Sequence, residues 1–562
     1  MFGNKYKRGK PQAYVITEAS AEETRHAPLQ VRASGARGRF AERARMRVMM
    51  CAVVFVFIFG ALGVRLAFVS FGQLPELRNH ADAPAADLPR PEIVDRNGAL
   101  LAADLPVIAL EVAGREVWDA GETAQKLANV LPDIDPLELT LKLEEGRYVE
   151  VRSDLTPAER RAVFDLGLPG VRFEARVDRF YPQGALAAHV VGHDEPGKGG
   201  VMGLEKAANR YRGEGPLRAS IDIRVQQALE DELTGTMKKF HAEAAWGAVM
   251  DVETGEIIAL ANVPDFDPNE PGAAPDDFRR NRATYDRYEL GSAFKAFTAA
   301  AVIDEGIASE GTAYDARGSL KIADRTITDF HGENRILSLS EVVQHSSNIG
   351  AARMAMEIGP KVQQRVLKSL GLFDALPIEL NENRAPQLPA QWGPVETATI
   401  SYGHGISVTP LHLLAAYSAV VNGGVYRTPS FIAVDEAPEG RRVFKPETST
   451  AMRRVLRRVI TDGTAQFAEA RGYYPIGKTA TADKVSKTGG YEKDARIASF
   501  VGAVPGYAPR YAILITFDNP QAIEGTYGYA TAGWNAAPAF SRFVERASPL
   551  LGLAQVSETT AL

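Results

Sequence analysis

Cysteine is almost missing from this chain of 562 residues: Cys51 stands alone. One cysteine excludes intrachain disulfides and cysteine-based metal sites. An excess of positive charge is missing too. With 64 Lys and Arg against 70 Asp and Glu the formal net charge is −6, which lacks the electrostatic footprint of a nucleic-acid binder. The Gly-rich stretch Gly197–Gly203 has no Lys-Ser or Lys-Thr and no flanking βαβ pattern, so it is not a phosphate loop. His189 and His193 stand at helical spacing but lack a convincing third ligand, so no metal centre is expected. What remains, at 45% hydrophobic and 24% charged residues, is ordinary globular material long enough for two or three domains.

Long apolar runs are missing as well, with one exception. Residues 1–47 carry eleven Lys and Arg against four acids and run directly into Val48–Val64, continued past Arg65 to Phe71. As a helix these 24 residues would extend about 36 Å, enough to span a bilayer. A signal peptide would have a far shorter basic region. The expectation is a single transmembrane helix over 48–71, with tail 1–47 in the cytoplasm and everything after it exported. Leu74–Leu88 is rich in Ala and Pro and reads as a linker. From Arg90 to about Gly235, strands alternate with short amphipathic helices such as Thr156–Leu166, and no constellation strong enough for chemistry stands out. This reads as a scaffold.

From Ala244 the pattern changes. Ala245–Val252 and Glu256–Ala261 form a predicted antiparallel hairpin about Glu253-Thr254-Gly255. Long helical stretches follow, then strands near Tyr474–Thr481, Ile497–Pro505 and Tyr511–Asp518, and a helix near Ala537–Leu550. Strands, then helices, then strands returning to the first sheet imply an α+β domain with a helical insert.

Within this part, Ser292 opens the Ala-rich apolar run Ser292-Ala293-Phe294-Lys295-Ala296-Phe297. Residues i and i+3 share a helix face, so Ser292 and Lys295 project into one space. A serine needs a base to become a nucleophile, and a lysine serves only if neutral. Burial and a second cation both push its pKa that way. This Ser-x-x-Lys occurs once in the chain, as does a Ser-x-Asn, Ser346-Ser347-Asn348. Lys478-Thr479-Ala480-Thr481 follows on a predicted strand.

Ser-x-x-Lys, Ser-x-Asn and Lys-Thr-Gly in this order are the signature of penicillin-binding transpeptidases and serine β-lactamases. The likeness extends to Arg90–Gly98, Phe180-Tyr181-Pro182, Gly203-Leu204-Glu205, Asp251–Gly255, Pro264–Asn269, Asn281-Arg282-Ala283, Ser401–Pro410 and Asn422-Gly423-Gly424. It runs from the anchor to about residue 551. The chain resembles class B penicillin-binding proteins, and within them the division-type, FtsI-like D,D-transpeptidases. No glycan-polymerising domain before the scaffold and no C-terminal repeats are recognisable, which fits that type.

The resemblance implies an α+β penicillin-binding/serine β-lactamase-like fold, an antiparallel sheet with a helical subdomain, over 236–551. It implies an α+β pedestal over 72–235 and leaves 552–562 as a tail. It further implies that Ser292 attacks the D-Ala-D-Ala carbonyl of a peptidoglycan stem with Lys295 as base. Ser346 would relay a proton to the leaving amine, and Asn348 would hold Lys295 and the substrate amide. Lys478 and Thr479 would bind the terminal carboxylate, while the N–H groups of Ser292 and Thr481 form the oxyanion hole. No metal or organic cofactor is required. Stem peptides and β-lactams are the implied ligands, an FtsW-type glycan polymerase and other divisome proteins the implied partners, and the division septum in the inner membrane the implied location, with the catalytic domain periplasmic. Nucleic acid has no part.

Two positions depart from the pattern. Leu290 stands where the family has Pro, and Ala480 replaces the Gly of the third motif, where its methyl is expected to narrow the substrate path. A literal Lys487-Thr488-Gly489 lies nine residues on, in a polar segment that reads as a hairpin loop, so Lys478 is preferred. Three rival readings share these motifs: an elongation-type enzyme of the same class, a silent β-lactam-binding scaffold, and a β-lactamase using Glu379-x-x-x-Asn383.

Overall fold

The computed structural model describes residues 90–557, apart from 331 and 486–489, together with isolated helical positions between 46 and 60. The chain divides into one unit spanning Met1–Ala83 and another spanning Pro84–Leu562. Most of the expected membrane helix, 48–71, lies outside the described residues, and no described helix is long and apolar enough to cross a membrane. The decoy Lys487-Thr488-Gly489 also lies outside them.

The first part of the larger unit is built on strands β1 (Ile93–Val94), β2 (Leu100–Ala113), β3 (Tyr148–Arg152), β4 (Val171–Phe180) and β5 (Leu217–Arg218). The long β2 pairs antiparallel with β1, β3 and β4, and β5 joins β1 in parallel. Helices α1 (Ala120–Val130), α2 (Pro136–Glu144) and α3 (Pro157–Asp165) start on side-chain caps from Asp119, Asp135 and Thr156, the last a capping box closed by Glu159. Their apolar faces meet the sheet in a core of Leu110, Val112, Leu127, Leu139, Leu143 and Val163. A charged knot ties the ends of this region together. Glu205, fully buried, receives Arg90 and Arg179, and Arg179 also reaches Asp104.

The second part has a five-stranded antiparallel sheet in the order β8 (Ile476–Val485), β9 (Tyr491–Val504), β10 (Tyr511–Asp518), β6 (Ala244–Asp251), β7 (Ile257–Val263). The last three strands in sequence therefore return to the first hairpin, as the element order implied. The hairpin turns on Asp251, whose Oδ1 accepts from Glu253 N at 2.9 Å, and Gly255 has φ +87°. Every residue of β6 and β7 is buried, because helices cover both faces. One layer holds α4 (Ile223–Lys239) and α10 (Ala536–Ala547); the other holds α5 (Phe294–Asp304), α6 (Leu339–Gln344), α7 (Asn348–Ser369), α8 (Pro410–Val421) and α9 (Pro446–Thr461).

Helix α4 runs across the position where the domain division was expected. A division at 235/236 would cut through it, yet Leu229 and Leu233 pack over Gly247 of β6 and Gln226 bonds to Leu260 of β7. The helix belongs to the second sheet. The turn Asp95-Arg96-Asn97-Gly98 bonds to its start: Asp95 accepts from Ile223 N, Asn97 donates to Asp222, and Arg96 pairs with Glu256.

Candidate active site

Three pieces of chain far apart in sequence converge at the outer edge of β8. The first is a 3-10 turn, Gly291–Ala293, leading into α5. Ser292 thus sits on the turn before the helix, and the i, i+3 relation to Lys295 holds. Gly291 has φ +51°, and a Cβ there would lie 3.3 Å from Thr481 O, so the turn rests against β8. Gly403, at φ +82°, packs on its other side, where a Cβ would fall 2.2 Å from Gly291 O. Only glycine fits at Gly403.

The second piece is the loop between α6 and α7. Ser346 adopts φ +63°, a strained conformation for a residue with a side chain. That strain aims two of its oxygens at one target. Lys295 Nζ stands 3.0 Å from Ser292 Oγ and 3.0 Å from Ser346 Oγ, and donates to the Ser346 carbonyl. Asn348 points elsewhere: its side-chain amide donates to Thr328 O at 3.1 Å, not to Lys295.

The third piece is β8 itself. Lys478 is fully buried, and its Nζ reaches Thr479 O at 3.1 Å. Thr479 Oγ1 lies 2.8 Å from Thr464 Oγ1. Thr481 Oγ1 accepts from Ala532 N at 3.1 Å, which leaves its backbone beside the Ser292 turn. Ala480 is 3% exposed and belongs to the apolar core, so its methyl faces inward.

The electrostatics follow from burial. Lys295 is 1% exposed, and loss of hydration drives its pKa well below that of a free lysine. The Lys478 charge pushes in the same direction and the Asp329 carboxylate opposes it. Burial alone brings Lys478 down to about 7. The arrangement therefore holds a hydroxyl beside an amine whose hold on its proton is weakened by burial, the direction a lysine-activated serine nucleophile requires.

Several residues in or beside the site were not anticipated. Asp329 accepts from Ser347 Oγ, Asn348 N and Ile349 N. Thr464 supports Thr479 and Gly403 supports Gly291. Conversely, Glu379, the rival general base, has both oxygens engaged by Ser430 Oγ at 2.7 Å and Phe431 N at 2.9 Å. His189 and His193 stand edge-on to Phe266, and burial lowers His189 to about 4. Among the described residues no cluster of three or more His, Cys, Asp or Glu side chains is arranged to hold a metal ion.

Comparison with known proteins gives the same outline. Residues 246–545 match the penicillin binding protein transpeptidase domain, and residues 86–213 match the penicillin-binding protein dimerisation domain. The chain is 40% identical over 489 residues to a probable peptidoglycan D,D-transpeptidase FtsI of Caulobacter vibrioides, covering 84% of this chain and 83% of that protein. The transpeptidase domain of Burkholderia pseudomallei penicillin-binding protein 3 superposes with a TM-score of 0.54 at 31% identity, covering 60% of this chain and 97% of that one. Penicillin-binding protein 3 of Mycobacterium tuberculosis, solved with aztreonam, superposes with a TM-score of 0.66 at 23% identity, covering 84% of this chain and 97% of that one, a likeness of fold.

Proposed function

The chain belongs to the penicillin-binding transpeptidases, and from that premise we propose that it is a division-type peptidoglycan D,D-transpeptidase in which Ser292 forms the acyl-enzyme. The observation that carries this reading is the 3.0 Å approach of Lys295 Nζ to Ser292 Oγ, with the amine's pKa lowered by burial and by Lys478.

Lys295 takes the proton of Ser292 as Oγ attacks the carbonyl of the D-Ala-D-Ala bond. The developing oxyanion is met by the N–H groups of Ser292 and Thr481, each donor contributing on the order of 3 kcal/mol. The C–N bond breaks and the departing D-Ala amine takes its proton through Ser346 Oγ, which contacts Lys295 Nζ at 3.0 Å. The amine of a second stem peptide then attacks the ester, and Ser292 recovers its proton as the cross-link forms. Lys478 and Thr479 bind the donor's terminal carboxylate. Because β8 is a sheet edge, an extended stem peptide can lie along it as an added strand. Asn348, bonded to Thr328, is assigned to the substrate amide and not to Lys295.

Stem peptides and β-lactams are thus the ligands, the latter as acylating mimics of the donor. We assign residues 1–47 to the cytoplasm and 48–71 to a membrane anchor, with the catalytic part periplasmic at the septum. An FtsW-type glycan polymerase would engage the anchor and the Arg90–Gly235 region, alongside other divisome proteins. Exchanging Val48–Phe71 for an unrelated anchor should abolish septal localisation; retention would remove the support for that partner.

Time-resolved labelling with a fluorescent penicillin tests the chemistry. A long-lived adduct in wild type that is absent in Ser292→Ala supports the transpeptidase. An adduct lost within seconds indicates a hydrolase, and no adduct together with no turnover of a D-Ala-D-Ala thioester indicates a silent scaffold.

A further inference from the structure

The Ser346–Asn348 loop carries two contacts to Lys295, yet a serine at φ +63° does not hold that shape unaided. What holds it comes from the segment Thr328-Asp329, about twenty residues earlier. Asp329 Oδ2 accepts from Ser347 Oγ at 2.7 Å; Oδ1 accepts from Ile349 N at 3.0 Å and from Asn348 N. Thr328 O accepts from the Asn348 side chain at 3.1 Å. Ser347 itself caps α7, its Oγ accepting from Gly350 N at 3.0 Å and its carbonyl from Ala351 N at 3.2 Å. All four leading N–H groups of α7 are therefore satisfied, two of them by a carboxylate from outside the helix, where the helix dipole also favours negative charge. With residues 347–349 clamped, the residue just before them is held at φ +63°, and that conformation turns its carbonyl and hydroxyl onto Lys295.

We propose that Asp329 is a positioning residue for acyl transfer, acting through Ser346: it locks the loop so that Ser346 holds the Lys295 amine against Ser292. This rests on the reading of Ser292 and Lys295 as nucleophile and base.

Two substitutions separate geometry from charge. Asp329→Ala removes the clamp, whereas Asp329→Asn keeps the oxygen that accepts from Asn348 and Ile349 and lets its amide donate to Ser347 Oγ in a reversed bond. The second-order constant for penicillin acylation of the full chain in detergent is the readout, beside a thermal melt. Asp329→Ala lowers it about 100-fold, the scale of an ångström's misplacement. In a Ser346→Ala background the same substitution costs clearly less than about 100-fold, because one of the two groups it positions, the hydroxyl, is already gone and only the carbonyl is left to misplace.

Asp329→Asn keeps the plateau within about fivefold of wild type. The groups facing Lys295 are the hydroxyls of Ser292 and Ser346, the Lys478 cation and the Asp329 carboxylate. Removing the one anion favours the neutral amine, so the acid limb of the pH profile moves to lower pH in this variant, a shift no purely structural role produces. The Asn variant keeps the test decisive should the Ala variant fail to fold. Additive losses in the Ser346→Ala background, an equal collapse in Asn and Ala, or an unshifted acid limb each overturn the proposal. Wild type that neither labels nor turns over a D-Ala-D-Ala thioester overturns the Ser292 reading instead, which keeps the two failures distinct.

Discussion

Burying Lys478 weakens the fold, and the size of that effect can be worked from its loss of hydration. Its folded-state pKa is brought to about 7 from the ordinary 10.5 by loss of hydration. A cation whose pKa is depressed on folding binds fewer protons in the native than in the unfolded chain, so stability rises with pH between the two values. Below about pH 7 the full penalty applies; above it the penalty shrinks as the unfolded chain's need for the proton fades. At 1.36 kcal/mol per unit, the burden is about 5 kcal/mol at pH 6 and about 2 kcal/mol at pH 9.

Lys478→Met replaces the amine with an apolar chain of similar length in a site without solvent. The variant is expected to be inert towards penicillin yet more stable than wild type, by several kcal/mol at pH 6 and by about 3 kcal/mol less at pH 9. Urea titrations at the two pH values, followed by the emission of Trp246 buried in the central sheet, measure the difference. A Met variant less stable than wild type at pH 6, or a gain that is the same at both pH values, would refute the idea that hydration loss sets the state of this lysine.

Two lysines with opposite requirements shape the pH profile of acylation. Lys295 must be neutral to act as base, so the second-order constant rises as it loses its proton; Lys478 must be charged to attract a carboxylate, so the constant falls as pH passes about 7. The expected profile with a carboxylate-bearing penicillin is a bell, and a monotonic rise to pH 9 would contradict it. Thr464→Val removes the 2.8 Å bond to Thr479 Oγ1, worth about 1 kcal/mol, so KM for a D-Ala-D-Ala thioester should increase roughly fivefold with kcat unchanged. Ala480→Gly deletes a buried methyl and loosens a strand, so the fold should lose about 1–2 kcal/mol in a melt while penicillin acylation stays within twofold. Faster acylation in that variant would restore the view that the methyl obstructs substrate.

The parts of the site that can be read from sequence are those whose geometry is local. Ser292 and Lys295 are joined by one helical turn, and the 3-10 start leaves their common direction intact. Ser346-Ser347-Asn348 and Lys478-Thr479 are short enough that a turn or a strand carries the whole motif. The returning strands were legible because β6, β7 and β10 are continuous apolar runs. What escaped is the product of long-range closure. Asp329 has no periodic signal, and its value as a clamp exists only once α7 is brought beside it. Gly403 reads as one more loop glycine until Gly291 lies against it. The domain boundary was drawn at 235/236, ahead of the change in pattern at β6, but α4 is amphipathic on any partner and only the fold reveals that its partner is the second sheet.

Ala480 is a different case, because its orientation was available. Side chains along a strand alternate, so Lys478, Ala480 and Ala482 share one face while Thr479 and Thr481 share the other. The face of Lys478 is the interior, at 0%, 3% and 4% exposure along these three residues. A residue two positions from a buried lysine is therefore a core residue. Exchanging Gly for Ala at 480 therefore changes the packing of the core beneath β8.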